Sequence, residues 1–362
     1  MINNILNKNL GSHSSGYSLA FLANNKKQIY NIGKLSYDYQ GQVDGETLYD
    51  IASLSKTFTA ILTFIAIQEG IFDLDTKICD IDPAYINLGH IKIRDLLAHR
   101  QEIWTPRHLK EAKSKEQMIE LLNDSYVYSE IPQYSDVHYM ILGRLLENSY
   151  KKDYQDLIYE KIKVPYNLSS LTYSPNTSKL ADTRFEVFPD KSINQDSRIG
   201  LPHDPKSRLA SDYDLTLGHA GIFINSSDLL KFLQALMEEK IIKGDLFKAL
   251  LDHDDINGLN KKRLKEDKDI KIQNLSKPYC LMGARLRNEI EEENEIPAKA
   301  NDKTVYFSGY TGPAYLLDFA NKIIIILMSN LTHHNTYMRL ERKKMANDMI
   351  KKVYGYLIEN KI

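Results

Sequence analysis

The stretch Ile51-Ala52-Ser53-Leu54-Ser55-Lys56-Thr57-Phe58-Thr59-Ala60-Ile61-Leu62-Thr63-Phe64-Ile65-Ala66-Ile67 decides how the chain reads. From Thr57 onward apolar residues fall on nearly every face of a helical wheel, which predicts a helix buried inside the protein. Gly70 supplies its C-terminal stop. A serine at the start of such a helix meets unpaired backbone N–H groups and the positive end of the helix dipole. Lys56, three residues on, lies a turn away on the same face. A buried ammonium is costly unless paired, so a lysine there sheds its proton readily and can accept one from a neighbour. Ser53 reads as a nucleophile beside its base.

Spacing alone does not single it out, because Ser149-Tyr150-Lys151-Lys152 has the same Ser-x-x-Lys pattern and reads as the tail of a surface helix. What sets Ser53 apart is its place before a fully apolar helix. The run from Ile51 to Thr59 resembles the first motif of the serine β-lactamase and penicillin-binding-protein superfamily. It is most similar to the class C β-lactamase branch, which also holds esterases and D-amino-acid peptidases.

At 362 residues the chain can bury a large core. Its net charge of −1 gives no basic balance for nucleic acid and no acidic excess for a solvating tail. Cys79 and Cys280 make neither a metal spacing nor a disulfide framework, and read as buried free thiols. Residues Met1 to Lys8 lack the apolar core of a signal peptide, and no stretch approaches the roughly 20 apolar residues of a membrane helix. The expectation for the chain as numbered is a cytoplasmic protein without a membrane span; an exported form would need a leader removed before Met1.

Tyr17 to Leu22 and Gln28 to Ile32 flank an Asn-Asn-Lys-Lys turn and predict a hairpin. Ile91 to His99 resembles the superfamily stretch ITIRHLLTH, but Arg100-Gln101-Glu102 stands where Thr-Ser-Gly is usual, so that loop is expected to differ. His99 reads as the cap of a helix in preference to a catalytic group. Glu111 to Leu122 and Val137 to Leu146 read as amphipathic helices. Between them Tyr134-Ser135-Asp136 resembles the second motif, Tyr-x-Asn, in its Tyr-Ser-Asp form. The resemblance assigns Tyr134 to proton transfer with Lys56, gives Ser135 a supporting place, and puts Asp136 with the substrate-binding residues. A neighbouring ammonium favours a phenolate, so the expectation is that Lys56 and Tyr134 share one mobile proton.

Residues 165–217 read as an irregular flap over the site. Within it His203-Asp204-Pro205 resembles a VHDP stretch of esterase-like relatives, although Asp before Pro is also an ordinary turn starter. Gly218 to Phe223 and Ser226 to Phe232 resemble GHAGLFST..DLARF; His219 reads as supporting the site and Asp228 as a helix cap. The charged segment His253 to Ala300, with Glu291-Glu292-Glu293, reads as a solvated loop or ribbon, and Pro278 to Gly283 as a strand entering the sheet. Residues 335–360 read as a long amphipathic helix, with apolar positions from Met338 to Leu357.

Thr304 to Gly312 precedes two strand candidates, Ala314 to Asp318 and Ile323 to Met328. Relatives read GHTGFTGTSLVIDP here, and ungapped alignment on Tyr306 puts Phe307-Ser308-Gly309 at their Lys-Thr-Gly or His-Thr-Gly. The alternative register, Tyr310-Thr311-Gly312, would place Pro313, which has no N–H, at an oxyanion-hole donor. The chosen register makes the N–H groups of Ser53 and Tyr310 the donors. Phe307 offers no cation to a substrate carboxylate, which favours a neutral ester or amide over a penicillin or a D-Ala terminus; it also fits a decayed site.

The fold expected is α+β: an antiparallel sheet flanked by helices, with a mostly helical lobe. One β-lactamase-like catalytic domain spans 1–362, its α/β lobe at about 1–56 and 218–362 and its helical lobe with flap at about 57–217. The resemblance implies acyl transfer through Ser53 on a small ester or amide, with no metal, no cofactor and no nucleic-acid partner. Two alternatives stay open. One is a β-lactamase, D-amino-acid peptidase or D-alanyl ester hydrolase acting on cell-wall material; the other is a non-catalytic binding protein on the same fold.

Overall fold

The computed structural model describes residues 2–11, 14–38, 41–183, 185–187, 193–195, 200–267, 269–271, 275–289, 294–333 and 339–360. Strands β1 (Gly16–Ala23), β2 (Lys26–Gly33), β3 (Thr304–Ser308), β4 (Ala314–Asp318) and β5 (Ile323–Ser329) form one antiparallel sheet in the order β2-β1-β5-β4-β3. The β1–β2 hairpin closes through Asn24 and Asn25, both at positive φ (46° and 61°), the pair of conformations that a two-residue turn matched to strand twist requires. The first and last thirds of the chain meet where β1 pairs with β5, Leu19 opposite Leu327.

Both faces of the sheet are covered, which is why β5 reads as an unbroken apolar run rather than an alternating one. Leu19, Phe21, Ile325 and Leu327 face the N-terminal helix Ile2–Asn9 and the terminal helix Arg339–Glu359. Ala20, Ile324, Ile326 and Met328 face the opposite core, which holds the helices Ser226–Met237 and Ser55–Gln68. There Phe58 stacks on Phe232 with ring centroids 4.2 Å apart. Each such large apolar side chain contributes about 1.5–3 kcal/mol on burial. The helix Ser55–Gln68 is buried on nearly all sides and ends before Gly70, whose φ is +74°. It also packs on Asp136–Tyr150, the central helix of a second, mostly helical layer. The architecture is α+β, as the sequence implies.

Several elements depart from expectation. Ile2–Asn9 is a helix, burying Ile2 and Leu6 on one face. The segment after Glu111 is helical only from Lys115 to Asn123. Pro278 to Gly283 forms no strand; single bridges link Tyr279 to Arg285 and Arg285 to Tyr306 at the edge of β3. Ile256–Glu266 is a helix where a loop was expected, and only Ile256 and Asn260 of it are buried. The flap contains the helix Pro205–Asp212 and a paired Phe185–Val187 and Ile193–Gln195. Asn225, not Asp228, caps the helix Ser226–Met237; Asp228 instead accepts the Ser170 N–H and pairs with Lys231. Arg100 reshapes its loop by pairing with Asp95 and Asp254. The Glu291-Glu292-Glu293 run and Met338 lie outside the described residues. Among the described residues no helix is long and apolar enough to cross a membrane.

Candidate active site

Tyr49–Asp50 pairs with Phe223–Ile224, and the Ile51 N–H donates to the Ile222 carbonyl at 3.0 Å. The chain then turns through Ala52 at φ +44° into a single 3-10 turn, Ala52–Leu54, before the long helix begins at Ser55. A left-handed residue other than glycine costs on the order of 1–3 kcal/mol and persists only where its surroundings enforce it. Asp50 does so here. One of its carboxylate oxygens accepts the Ala52 N–H at 2.8 Å, the other accepts the His203 N–H at 2.7 Å, and the Thr311 hydroxyl donates to its carbonyl at 2.6 Å. Burial pushes the Asp50 carboxyl upward, and these two N–H groups oppose the shift. Ser53 is thereby presented on a held turn.

Lys56 Nζ lies 3.2 Å from Ser53 Oγ, and the Tyr134 hydroxyl donates to the same Oγ at 2.9 Å. Lys56 is fully buried; its ammonium also donates to Asp136 Oδ1 at 2.8 Å and to the His219 carbonyl at 3.1 Å. The structure therefore brings Ser53, Lys56 and Tyr134 together. Ser135 caps the helix Asp136–Tyr150 by accepting the Val137 N–H, which places Tyr134 and Asp136 at its entry.

Asp136, expected among the substrate-binding residues, has its oxygens held by Lys56 and Lys206, the second at 2.5 Å, and lines a cavity beside Ser53. Burial disfavours its charge, yet Lys56 and Lys206 hold the carboxyl well below the usual range. Tyr134 is not tilted toward its anion. Burial and the Asp136 carboxylate hold it well above the ordinary phenol value, so Tyr134 is a neutral donor at Ser53.

Beside this cluster Asp204 Oδ1 meets His219 Nε2 at 2.9 Å, and Asp204 Oδ2 lies 3.5 Å from Lys206 Nζ. Asp204 also caps its own helix, accepting the Lys206 and Ser207 N–H groups with Pro205 in the first turn. Asp204 thus starts a helix, as the turn-starter reading implies, and it lines a cavity with Ser53. The His203 ring stacks on Tyr310, centroids 5.4 Å apart. Burial pushes His219 down from its ordinary value, with Asp204 pulling against it. Asp136, Asp204 and His219 converge as metal ligands would, but the Lys206 ammonium stands between the two carboxylates. His99 lies under Tyr134, rings 4.6 Å apart, and closes its helix at φ +53°, with its Nδ1 on that of His138 and not on Ser53. Sequence reasoning missed Asp50 and Lys206; neither belongs to a motif, and His203 and Thr311 on Asp50 and Asp136 on Lys206 lie far along the chain.

Phe307 and Ser308 end β3 and, with Gly309 and Tyr310 just beyond it, line a cavity of about 310 Å³ with Ser53 and Tyr134. Tyr315 stands opposite Phe307 and Ala314 opposite Ser308, so the sheet continues through the chosen register. Gly309 allows β3 to reach the nucleophile turn, since a Cβ there would sit 2.5 Å from the Ile51 carbonyl oxygen. Lys277 and Lys343 line the same cavity. A second cavity, about 380 Å³, opens on the other side of Ser53 and is lined by His203, Asp204, Lys206 and Tyr310.

An antiparallel sheet with helices on both faces, and a serine–lysine pair between sheet and helical layer, are features of a serine hydrolase. Residues 4–348 match the family model Beta-lactamase, and the chain belongs to that family. The N-acetylmuramyl-L-alanine amidase of Bacillus subtilis (strain 168) is 23% identical over 354 residues, spanning 83% of this chain and 75% of that protein. Among solved structures, EstCE1, a hydrolase with promiscuous acyltransferase activity, is similar with a TM-score of 0.73 at 15% identity, covering 97% of both chains. The D-amino acid amidase of Ochrobactrum anthropi SV3 gives a TM-score of 0.70 at 17% identity, over 100% of this chain and 99% of that one. These structural likenesses show a shared fold.

Proposed function

We propose that the protein hydrolyses a small ester or amide through an acyl intermediate on Ser53. The observation that carries this reading is the pair of contacts on one oxygen: Lys56 Nζ and the Tyr134 hydroxyl, 3.2 and 2.9 Å from Ser53 Oγ. Lys56, in its uncharged form, accepts the Ser53 proton as Oγ attacks the acyl carbon. The backbone N–H groups of Ser53 and Tyr310 hold the developing oxyanion. Tyr134, a neutral phenol, gives its proton to the leaving group and regains one from the Lys56 ammonium. Water then attacks the acyl-enzyme, its proton passes back along the same groups, and Ser53 is released. No step requires a metal or an organic cofactor. Phe307, buried against Tyr315 where it lines the cavity, offers no charge to a carboxylate and supports a neutral acyl or leaving group.

Intact mass after incubation with a fluorophosphonate tests the reading. The expected result is one adduct on the wild type and none on Ser53→Ala. No adduct on either protein would leave the binding-protein alternative in its place.

A second reading, a substrate derived from cell-wall material, is favoured by Lys277 and Lys343. Both line the same cavity as Ser53 and Phe307 and carry the charge type that Phe307 lacks. The muramyl-amide specificity in the name of the Bacillus subtilis relative is consistent with it. Faster turnover of a D-alanyl ester or a chromogenic cephalosporin than of a neutral short-chain ester would select this reading.

A further inference from the structure

Asp136 lies between two ammonium groups. Lys56 Nζ is on Oδ1 at 2.8 Å and Lys206 Nζ on Oδ2 at 2.5 Å. We propose that Lys206 is a positioning residue that keeps Lys56 able to act as the base for Ser53. It does so by taking up the Asp136 charge that would otherwise fix the Lys56 ammonium. The inference rests on the acyl-transfer reading and deepens it.

A carboxylate, unlike the amide of a Tyr-x-Asn motif, carries a full negative charge to the lysine that must lose a proton. Alone with Lys56, Asp136 would form a closed ion pair in a site where Lys56 has no exposure to water. A charge pair in such a place is poorly screened and resists neutralisation of either partner. Lys206 alters that balance. The groups around it are Asp136 and Tyr134 at the entry of one helix, Lys56 from the nucleophile helix, His219 from the loop before Phe223, and Asp204 with His203 from its own segment. With His219 neutral, two carboxylates face two ammonium groups and the cluster is balanced. Without Lys206 the cluster carries a net negative charge, and the proton on Lys56 is retained.

The position of Lys206 is fixed from both ends. Asp204 holds its backbone N–H at 3.0 Å, and the same carboxylate is anchored on His219. Its ammonium thus reaches Asp136 from the flap, across the cavity that opens on Ser53.

The test is the rate of Ser53 phosphonylation by a fluorophosphonate, read by intact mass as a function of pH. Lys206→Met moves the half-maximal pH upward by about one unit, a roughly tenfold slower reaction below the midpoint. Lys206→Arg keeps the wild-type profile. Adding Asp136→Asn to Lys206→Met returns the profile toward lower pH, because the charge that held the Lys56 proton is gone. If Lys206→Met does not fold, Lys206→Gln carries the same test, with the same upward shift. A Lys206→Met profile superimposable on the wild type overturns the inference, as does a shift that Asp136→Asn leaves in place. A wild type that takes no label removes the acyl-transfer reading itself, an outcome distinct from either.

Discussion

Lys56 and Asp136, 80 positions apart in the chain, form a 2.8 Å ion pair beneath Ser53, the lysine fully buried and the aspartate about a quarter exposed. Removing one member of such a pair is worse than removing the other. Asp136→Ala leaves a buried ammonium with only neutral acceptors, and the expected loss is about 3 kcal/mol. Lys56→Met leaves Asp136 still paired with Lys206 and should cost visibly less. Urea unfolding of the two variants checks this order, and equal midpoints would contradict it.

Tyr134→Phe separates proton delivery from nucleophile activation. Loss of general-acid help typically costs about 10²–10⁴-fold. The loss should appear in full with an alkyl ester, whose alkoxide must be protonated as it leaves, and be much smaller with a nitrophenyl ester. Equal losses on both would assign Tyr134 to holding Ser53 Oγ instead.

Gly309→Ala tests the contact between β3 and the nucleophile turn. The added methyl would meet the Ile51 carbonyl oxygen at 2.5 Å, a backbone atom that cannot swing aside. Overpacking of this kind costs about 1–3 kcal/mol. It should also part Tyr310 from Ser53, so the acylation rate falls by more than the change in melting temperature would suggest. A variant with normal acylation would remove Tyr310 from the oxyanion site.

What was legible in the sequence was what repeats or what the backbone imposes. The buried helix announced itself through apolar residues on every face, and the β1–β2 turn through two consecutive asparagines. The terminal strands followed from their apolar runs. By contrast, Ile256–Glu266 buries only Ile256 and Asn260, so no apolar period marked it. Lys206 is one of 47 basic residues, and its partner Asp136 lies 70 positions away. Nothing local distinguishes it from a solvated lysine two residues into a helix. The phenol of Tyr134 was misread for the same reason: the ammonium was visible in the motif, whereas burial and the neighbouring carboxylate required the fold.

The histidine pair under Tyr134 makes stability depend on pH. His99 and His138 are buried with their Nδ1 atoms 3.2 Å apart. Burial pushes His138 down to about 4. An unfolded chain returns it to about 6.5. Above that value both states are neutral there and the group contributes no pH dependence. As pH falls through it, the unfolded chain takes up a proton that the folded protein refuses, and stability declines until pH reaches about 4. At pH 5 the penalty from this one residue is about 2 kcal/mol. His138→Gln should therefore shrink the difference in unfolding free energy between pH 7 and pH 5 by about 2 kcal/mol, with carboxylate contributions cancelling in the comparison. His99 is likewise held well below its ordinary value by burial and by His138, so part of the slope belongs to the pair. An unchanged slope in His138→Gln would mean that His138 takes its proton in the folded state, and the packing beneath Tyr134 would have to open to admit it.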